Sequence, residues 1–467
     1  MTWIWVSCLL LTKKRRFCAK PRISFLTHAE TAFTEFQSAA CLCDVLRKEG
    51  FTVEENLAGI KTAFSGRFGS GKPVIGILGE FDALCGLGQV AGATEKLSDG
   101  KPNGHGCGHH LLGIGSLGAA IAVKRYLEAS GHAGTVIYFG CPGEEGGSGK
   151  AFMARDGVFD ELDAAVTWHP SDLTEVRAIT SLANVQVLYK FDGVAAHAAA
   201  EPHLGRSALE TVELMNVGVN FLREHVVQDA RMHYAITDAG GFSPNVVQPH
   251  AEVLYLLRAP ESAQVKDIYE RVNMIAEGAA LMTQTKMSYD FIKGCSNTIL
   301  NNAMQVRLYE VMKRIGPPEM TNEEITFARE LTERSMTDYP DADPAHPIHN
   351  ELCPYHDGDF RRANASTDVG DVSWICPTAQ AHTAIFVRGT PGHSWQATTV
   401  GKSSFAHKMM LYAAKSMATL AVELIDDKAL LAAAKAEHKK HVGPNGYRCP
   451  IPAGVKPRAM NDFSKKK

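Results

Sequence analysis

Long hydrophobic runs are missing from this chain. A helix that crosses a bilayer needs about 20 consecutive apolar residues, and the N-terminal "WIWVSCLLL" is too short. The basic "KKRR" follows that stretch instead of preceding it, and no small-residue cleavage site comes next, so it reads as an atypical leader or a mis-assigned start, with a noncleaved anchor as the lesser alternative. An excess of charge of one sign is missing too. Lys+Arg number 48 against Asp+Glu 51, a net charge of -3, and nothing in that balance points to nucleic acid or a membrane surface as partner. The short basic stretches Lys13 to Arg16 and Lys465 to Lys467 read as solvated ends. The 11 cysteines lack regular spacing in a chain too long to need a disulfide framework, which points to a reducing, cytoplasmic compartment. Internal repeats and low-complexity segments are absent.

What remains is an ordinary globular composition, 45% hydrophobic and 21% charged over 467 residues, a length that predicts two domains. Apolar positions at helical spacing over 28–50, ending in Gly50, predict an opening helix. "KPVIGILGEFDAL" (72–84), "GTVIYFGCP" (134–142) and "DAAVTWHP" (163–170) predict buried strands, and 111–129 predicts a helix whose Gly and Ala positions permit close packing. Strands alternating with helices predict an α/β layer with a mostly parallel sheet. From residue 181 the predicted order is β-α-β-β-α-β, the ferredoxin-like order, up to the strand "KMSYDFIKG". A strand at 381–389 and a helix at about 403–425 follow a helical, loop-rich stretch. The arrangement expected is one discontinuous α/β domain (22–180 and 300–430), an inserted ferredoxin-like α+β unit (181–299), and terminal extensions (1–21 and 431–467). Segments 85–104 and 336–365 read as long loops.

In an open α/β sheet, ligands bind beyond the carboxyl ends of the strands. Metal-ligand residue types gather there repeatedly. "GEFDAL" brings Glu80 and Asp82; "GHGCGHH" sets Cys107 and His109 two apart on a glycine-flanked turn; "CPGEEGGSG" carries Glu144 and Glu145; "WHP" brings His169 ahead of Pro170, which is expected to stop the strand; "GTPGHSWQ" brings His393. Taken alone, "CGH" reads as a structural turn, the acidic pair as an exposed turn, and each histidine as a satisfied structural residue. Converging on one sheet edge, they read as a metal centre. Cys, His and carboxylate together suit Zn²⁺ or a similar transition metal better than Ca²⁺ or Mg²⁺. A bridging Cys, two or three His and one Glu supply a two-metal site, and the second Glu of the pair is then free to act as general base. The rival reading is a cysteine hydrolase with Cys107 as nucleophile and His109 or His105 as base; it leaves the Glu pair and His169 unexplained.

From about residue 28 to 425, through "GEFDAL", "NGHGCGHHLLG", "CPGEEGGSGK", "WHP", "GVAAHAAAEPHLGRSALE", "SPNVVQPHAEVLYLLRAP", "STDVGDVSW" and "HSWQA", the chain resembles the two-metal peptidase and aminoacylase family that includes carboxypeptidase G and the hippurate and indole-acetyl-amino-acid hydrolases. Within it the resemblance is closest to the branch that acts on p-aminobenzoyl-glutamate. The resemblance implies two divalent ions, Zn or Mn, held by Cys107, His109, Glu145, His169 and His393, with Asp82 supporting a ligand and Glu144 as the general base. It implies that the inserted unit is a lid and homodimer contact whose His197 stabilises the oxyanion in the partner's site, and that Asn245 and Arg258 hold the substrate carboxylate. It further implies a small N-acyl amino acid or dipeptide as substrate and allows for a separate, related A subunit; a noncatalytic homologue is the reading from a different class. The chain departs from the family at His110, where relatives usually carry Asp or Asn, at Cys85, commonly proline, and over the first twenty-odd residues.

Overall fold

The computed structural model describes residues 28–355, 361–362 and 365–459. The N-terminal apolar stretch with its basic neighbours, the expected extension 1–21, and Lys465 to Lys467 lie outside the described residues. Among the described residues no helix is long and apolar enough to cross a membrane.

The opening helix α1 (Phe36–Lys48) buries Leu42, Cys43 and Leu46 and stops before Gly50, which adopts a left-handed φ of 82°. Two strands that the apolar pattern did not single out follow, β1 (Thr52–Glu55) and β2 (Phe64–Ser70). Next come β3 (Val74–Glu80), helix α2 (His109–Ser130), β4 (Gly134–Cys141), the short helix α3 (Gly149–Arg155), β5 (Ala164–Ser171) and β6 (Glu175–Val176). Every residue of β3 and β4 is buried, as continuous apolar runs in central parallel strands require. The inserted unit comprises β7 (Ala183–Asp192), α4 (Ala208–Leu222), β8 (Arg231–Asp238), β9 (His250–Ala259), α5 (Ser262–Thr283) and β10 (Lys286–Cys295). Helices α6 (Asn302–Ile315), α7 (Asn322–Ser335) and α8 (Val369–Ile375), strand β11 (Thr378–Ala384), and helices α9 (Ser404–Asp426) and α10 (Lys428–Val442) complete the chain.

The main sheet has seven strands in the order β1-β2-β4-β3-β5-β11-β6. Its centre, β4-β3-β5-β11, is parallel, and the outer pairings are antiparallel. The second sheet, β8-β9-β7-β10, is antiparallel throughout, with its core formed by residues such as Val212, Met215, Val265 and Ile268 of α4 and α5. The chain is therefore α/β with a mostly parallel sheet and a ferredoxin-like unit.

Three local expectations shift. The strand expected at 381–389 runs instead over Thr378–Ala384, because its partner β5 ends where Ala384 faces Ser171 and beyond that point there is no ladder to join. Pro170 does not stop β5, since the parallel ladder continues through Thr383 opposite Pro170. The expected extension 431–467 begins inside α10, whose Leu430 and Ala434 belong to the large apolar cluster that also holds α2 and α9. The close approach expected for α2 is seen at Gly115, where an added Cβ would lie 3.0 Å from the Trp168 indole.

Candidate metal centre

The turn "GHGCGHH" ends at Gly108, whose φ of 75° starts α2 with His109 as its first residue. A Cβ there would meet Ile385 at 2.7 Å and Pro170 at 3.0 Å, so only glycine fits. The acidic pair sits just after β4 in a turn bounded by left-handed Gly143 and Ser148. His169 lies near the end of β5, and His393, itself at a φ of 53°, comes from the loop before residues 395–400.

These strand ends converge. Ligand atoms of Cys107, His109 and His169 lie within 4.8 Å of one another, and so do those of Cys107, Glu145 and His393. The two groups share Cys107. Neighbouring groups orient the imidazoles. Asp82 Oδ1 accepts from His109 Nδ1 at 3.0 Å and the Pro170 carbonyl accepts from His169 Nδ1 at 2.7 Å, which leaves each Nε2 as the free nitrogen. Asp82 also reaches the acidic turn, where its Oδ2 accepts from the backbone N–H of Glu145 at 2.8 Å. His393 Nε2 lies 3.1 Å from Glu145 Oε1, and Cys107 Sγ lies 3.6 Å from His169 Nε2.

The electrostatics follow from this crowding. Burial pushes the Cys107 thiol up, but His109 and His169 more than offset it and bring it down to about 6. Burial likewise opposes ionisation of Glu145, yet His393 and His109 hold it at about 2. Glu144 goes the other way: burial first, then the neighbouring Glu80, Glu145 and Asp368, raise it well above the ordinary carboxylate range. A thiolate and a carboxylate held ionised beside three imidazoles form a donor set suited to a transition-metal ion.

The centre opens into a chamber of about 520 Å³ lined by Cys107, Glu144, Glu145, His169 and His393 from the main sheet side and by Arg258 and Lys293 from the inserted unit. Arg258 donates from Nη1 to Ser366 Oγ at 3.0 Å. His197 and Asn245 do not line it. Both are exposed on the inserted unit, where the Ala198 N–H donates to the Asn245 carbonyl at 2.9 Å and His197 Nδ1 accepts from Ala200 N at 3.1 Å. His110 points away from the ligand groups, with Nε2 donating to the Gly401 carbonyl at 3.0 Å and its ring 4.5 Å from that of His105.

The pairing of the residues beneath the site carries no signal in the sequence. Lys150, fully buried, bridges Glu80 Oε1 at 2.8 Å and Asp368 Oδ1 at 2.5 Å. Glu35, also fully buried, accepts from the N–H groups of Phe33 and Gly143 and from Thr62 Oγ1, pinning the acidic turn from below. Lys150 and Asp368 stand inside the motifs "CPGEEGGSGK" and "STDVGDVSW", but only burial shows their pairing.

Residues 76–438 match the model of peptidase family M20/M25/M40. The chain belongs to that family. It is 49% identical over 454 residues to one of the subunits of the p-aminobenzoyl-glutamate hydrolase of Escherichia coli (strain K12), covering 93% of this chain and 94% of that one. It is 28% identical over 345 residues to the Xaa-Arg dipeptidase of Mus musculus, covering 72% and 70%. A dinuclear metal-binding M20 peptidase from Bacillus subtilis shares the fold, with a TM-score of 0.54 and 15% identity over 87% of this chain and 96% of that one. This M20 chain is a hydrolase of amide bonds, and the described residues contain groups able to hold metal ions.

Proposed function

We propose that the chain hydrolyses p-aminobenzoyl-glutamate to p-aminobenzoate and glutamate. The observation that carries the reading is a pair of ligand groups sharing Cys107, opening on a chamber to which Arg177, Arg258 and Lys293 contribute cations. Such a chamber complements a leaving amino acid with two carboxylates and opposes a basic one, which favours this substrate over an Xaa-Arg dipeptide. Other dipeptides and N-acyl amino acids remain the alternative within the class.

Cys107, His109 and His169 would hold one divalent ion, and Cys107, Glu145 and His393 a second, Zn²⁺ or Mn²⁺ in each. Bound there, the ions supply Lewis acidity to the amide carbonyl and the attacking water. Glu144 takes the proton from that water and passes it to the leaving nitrogen, from a position beside both candidate ligand groups at the chamber wall. Arg258 pairs with the substrate's α-carboxylate through parallel N–H bonds. His197 and Asn245, exposed and remote from their own chamber, act on the site of a second copy, with the unit 181–299 as lid and dimer contact. Exposed Phe221, Leu281 and Met282, at 71%, 82% and 72%, and the edge strand β8 support a protein partner on that unit, a second copy or a related A subunit. The nine described cysteines form no disulfide, in keeping with a reducing, cytoplasmic location.

The test is hydrolysis of p-aminobenzoyl-glutamate by purified protein, followed by chromatography of p-aminobenzoate before and after chelation and re-addition of Zn²⁺ or Mn²⁺. Loss and restoration of activity support the reading. A folded, metal-loaded protein that cleaves neither this substrate nor any dipeptide or N-acyl amino acid overturns it.

A further inference from the structure

We propose a further seat for a divalent cation, formed by the carboxylates of Glu80 and Glu144 with Nε2 of His109, and alternative to the seat that His109 shares with Cys107 and His169. Ligand atoms of the three residues lie within 4.8 Å of one another. Glu80 Oε2 and His109 Nε2 are buried and have no hydrogen-bond partner among the described residues. They face each other at 3.3 Å, on side chains 1% and 0% exposed.

Buried polar atoms without partners are costly, and a native structure rarely leaves two of them opposed. With Nδ1 donating to Asp82, His109 directs its other nitrogen at a carboxylate oxygen. The pair requires a positive charge between its members, either a proton on Nε2 or a cation that displaces it. The spacing suits the cation. Adjacent ligands about 2.1–2.2 Å from an octahedral ion stand roughly 3.0–3.1 Å apart, so a shift of a few tenths of an ångström from the 3.3 Å seen here brings both atoms onto one ion. Glu80 is also held in place for this role, because its other oxygen is fixed by Lys150 at 2.8 Å and Lys150 by Asp368 at 2.5 Å.

Nε2 carries one lone pair and binds one ion at a time, so the Glu80–Glu144 seat and the Cys107–His169 seat exclude each other at His109. They differ in chemistry. Two carboxylates and an imidazole make a harder donor set, suited to Mn²⁺, whereas the thiolate seat favours Zn²⁺. An ion in the carboxylate seat engages Glu144 and removes it from proton transfer; this consequence rests on the base role proposed above, but the seat itself does not. Metal identity then selects between a productive and a blocked loading.

The test uses Mn²⁺ and the full chain. Cys107→Ala removes the thiolate from both Cys107 seats and should still bind Mn²⁺, read by electron paramagnetic resonance and metal analysis. Adding Glu80→Gln, or separately Glu144→Gln, should weaken that binding by more than about 100-fold, since losing a direct ligand should exceed the loss typical of outer-shell changes. Circular dichroism checks that each variant folds, and if the buried Glu80→Gln fails, the half-buried Glu144→Gln decides. No Mn²⁺ bound by Cys107→Ala, or equally tight binding after loss of Glu144, overturns the proposal. Failure of the hydrolase reading would appear separately, as a wild type without hydrolysis.

Discussion

At the scale of the residue, the acidic pair shows how position sets chemistry. Glu144 and Glu145 are neighbours in the chain, yet one is held ionised by His393 and His109 while burial and nearby carboxylates favour a proton on the other. The difference predicts separable effects. Glu144→Gln should lower kcat by about 10²–10⁴-fold, the usual range for a lost general base, while total bound Zn²⁺ stays near the wild-type level; metal analysis beside the hydrolysis assay checks both. Glu145→Gln should release metal and activity together. The gathering of Cys, His and Glu at strand ends, which a metal centre would need, was legible in the sequence as candidate ligand types. Their buried supports were not, since Lys150 and Asp368 are 218 positions apart and read as ordinary charged residues until the fold pairs them.

At the scale of the element, the turn before α2 and the strand β5 deliver the centre. Gly108 must keep a left-handed φ with Ile385 and Pro170 against it. Gly108→Ala should cost about 1–3 kcal/mol, move His109, and weaken metal binding; thermal melting with and without Zn²⁺ reads the two effects. The alternation of apolar strands and helices was visible in the residues, as was the ferredoxin-like order, because burial on one or both faces imposes its own period. The ends of elements were less visible. β11 starts and stops where β5 offers partners, and β5 crosses Pro170 for the same reason.

At the scale of the whole molecule, polar contacts tie segments that are distant in the chain. Asp163, just before β5, accepts from the Val74 N–H at 2.7 Å and pairs with Lys72 at 3.1 Å and with Lys435 of α10. Burial would raise its carboxyl, but Lys435, the Val74 N–H and Lys72 outweigh it and hold it below the ordinary 3.8. A depressed carboxyl stabilises the fold above its unfolded value and loses that contribution as pH falls through the folded one. Asp163→Asn should therefore cost about 1 kcal/mol near neutrality, and the gap to wild type should shrink below about pH 4; melting curves across that range would show it, and a constant gap would refute the account. Composition, periodicity and motif order were enough to determine the class of fold, with its ferredoxin-like unit, and to point to the residue types of the candidate centre, because these depend on local pattern. Tertiary structure alone decided that Cys107 joins two candidate ligand groups, that Glu80 faces His109, and that His197 and Asn245 stand away from the chamber, because those facts depend on distances between segments far apart in the chain.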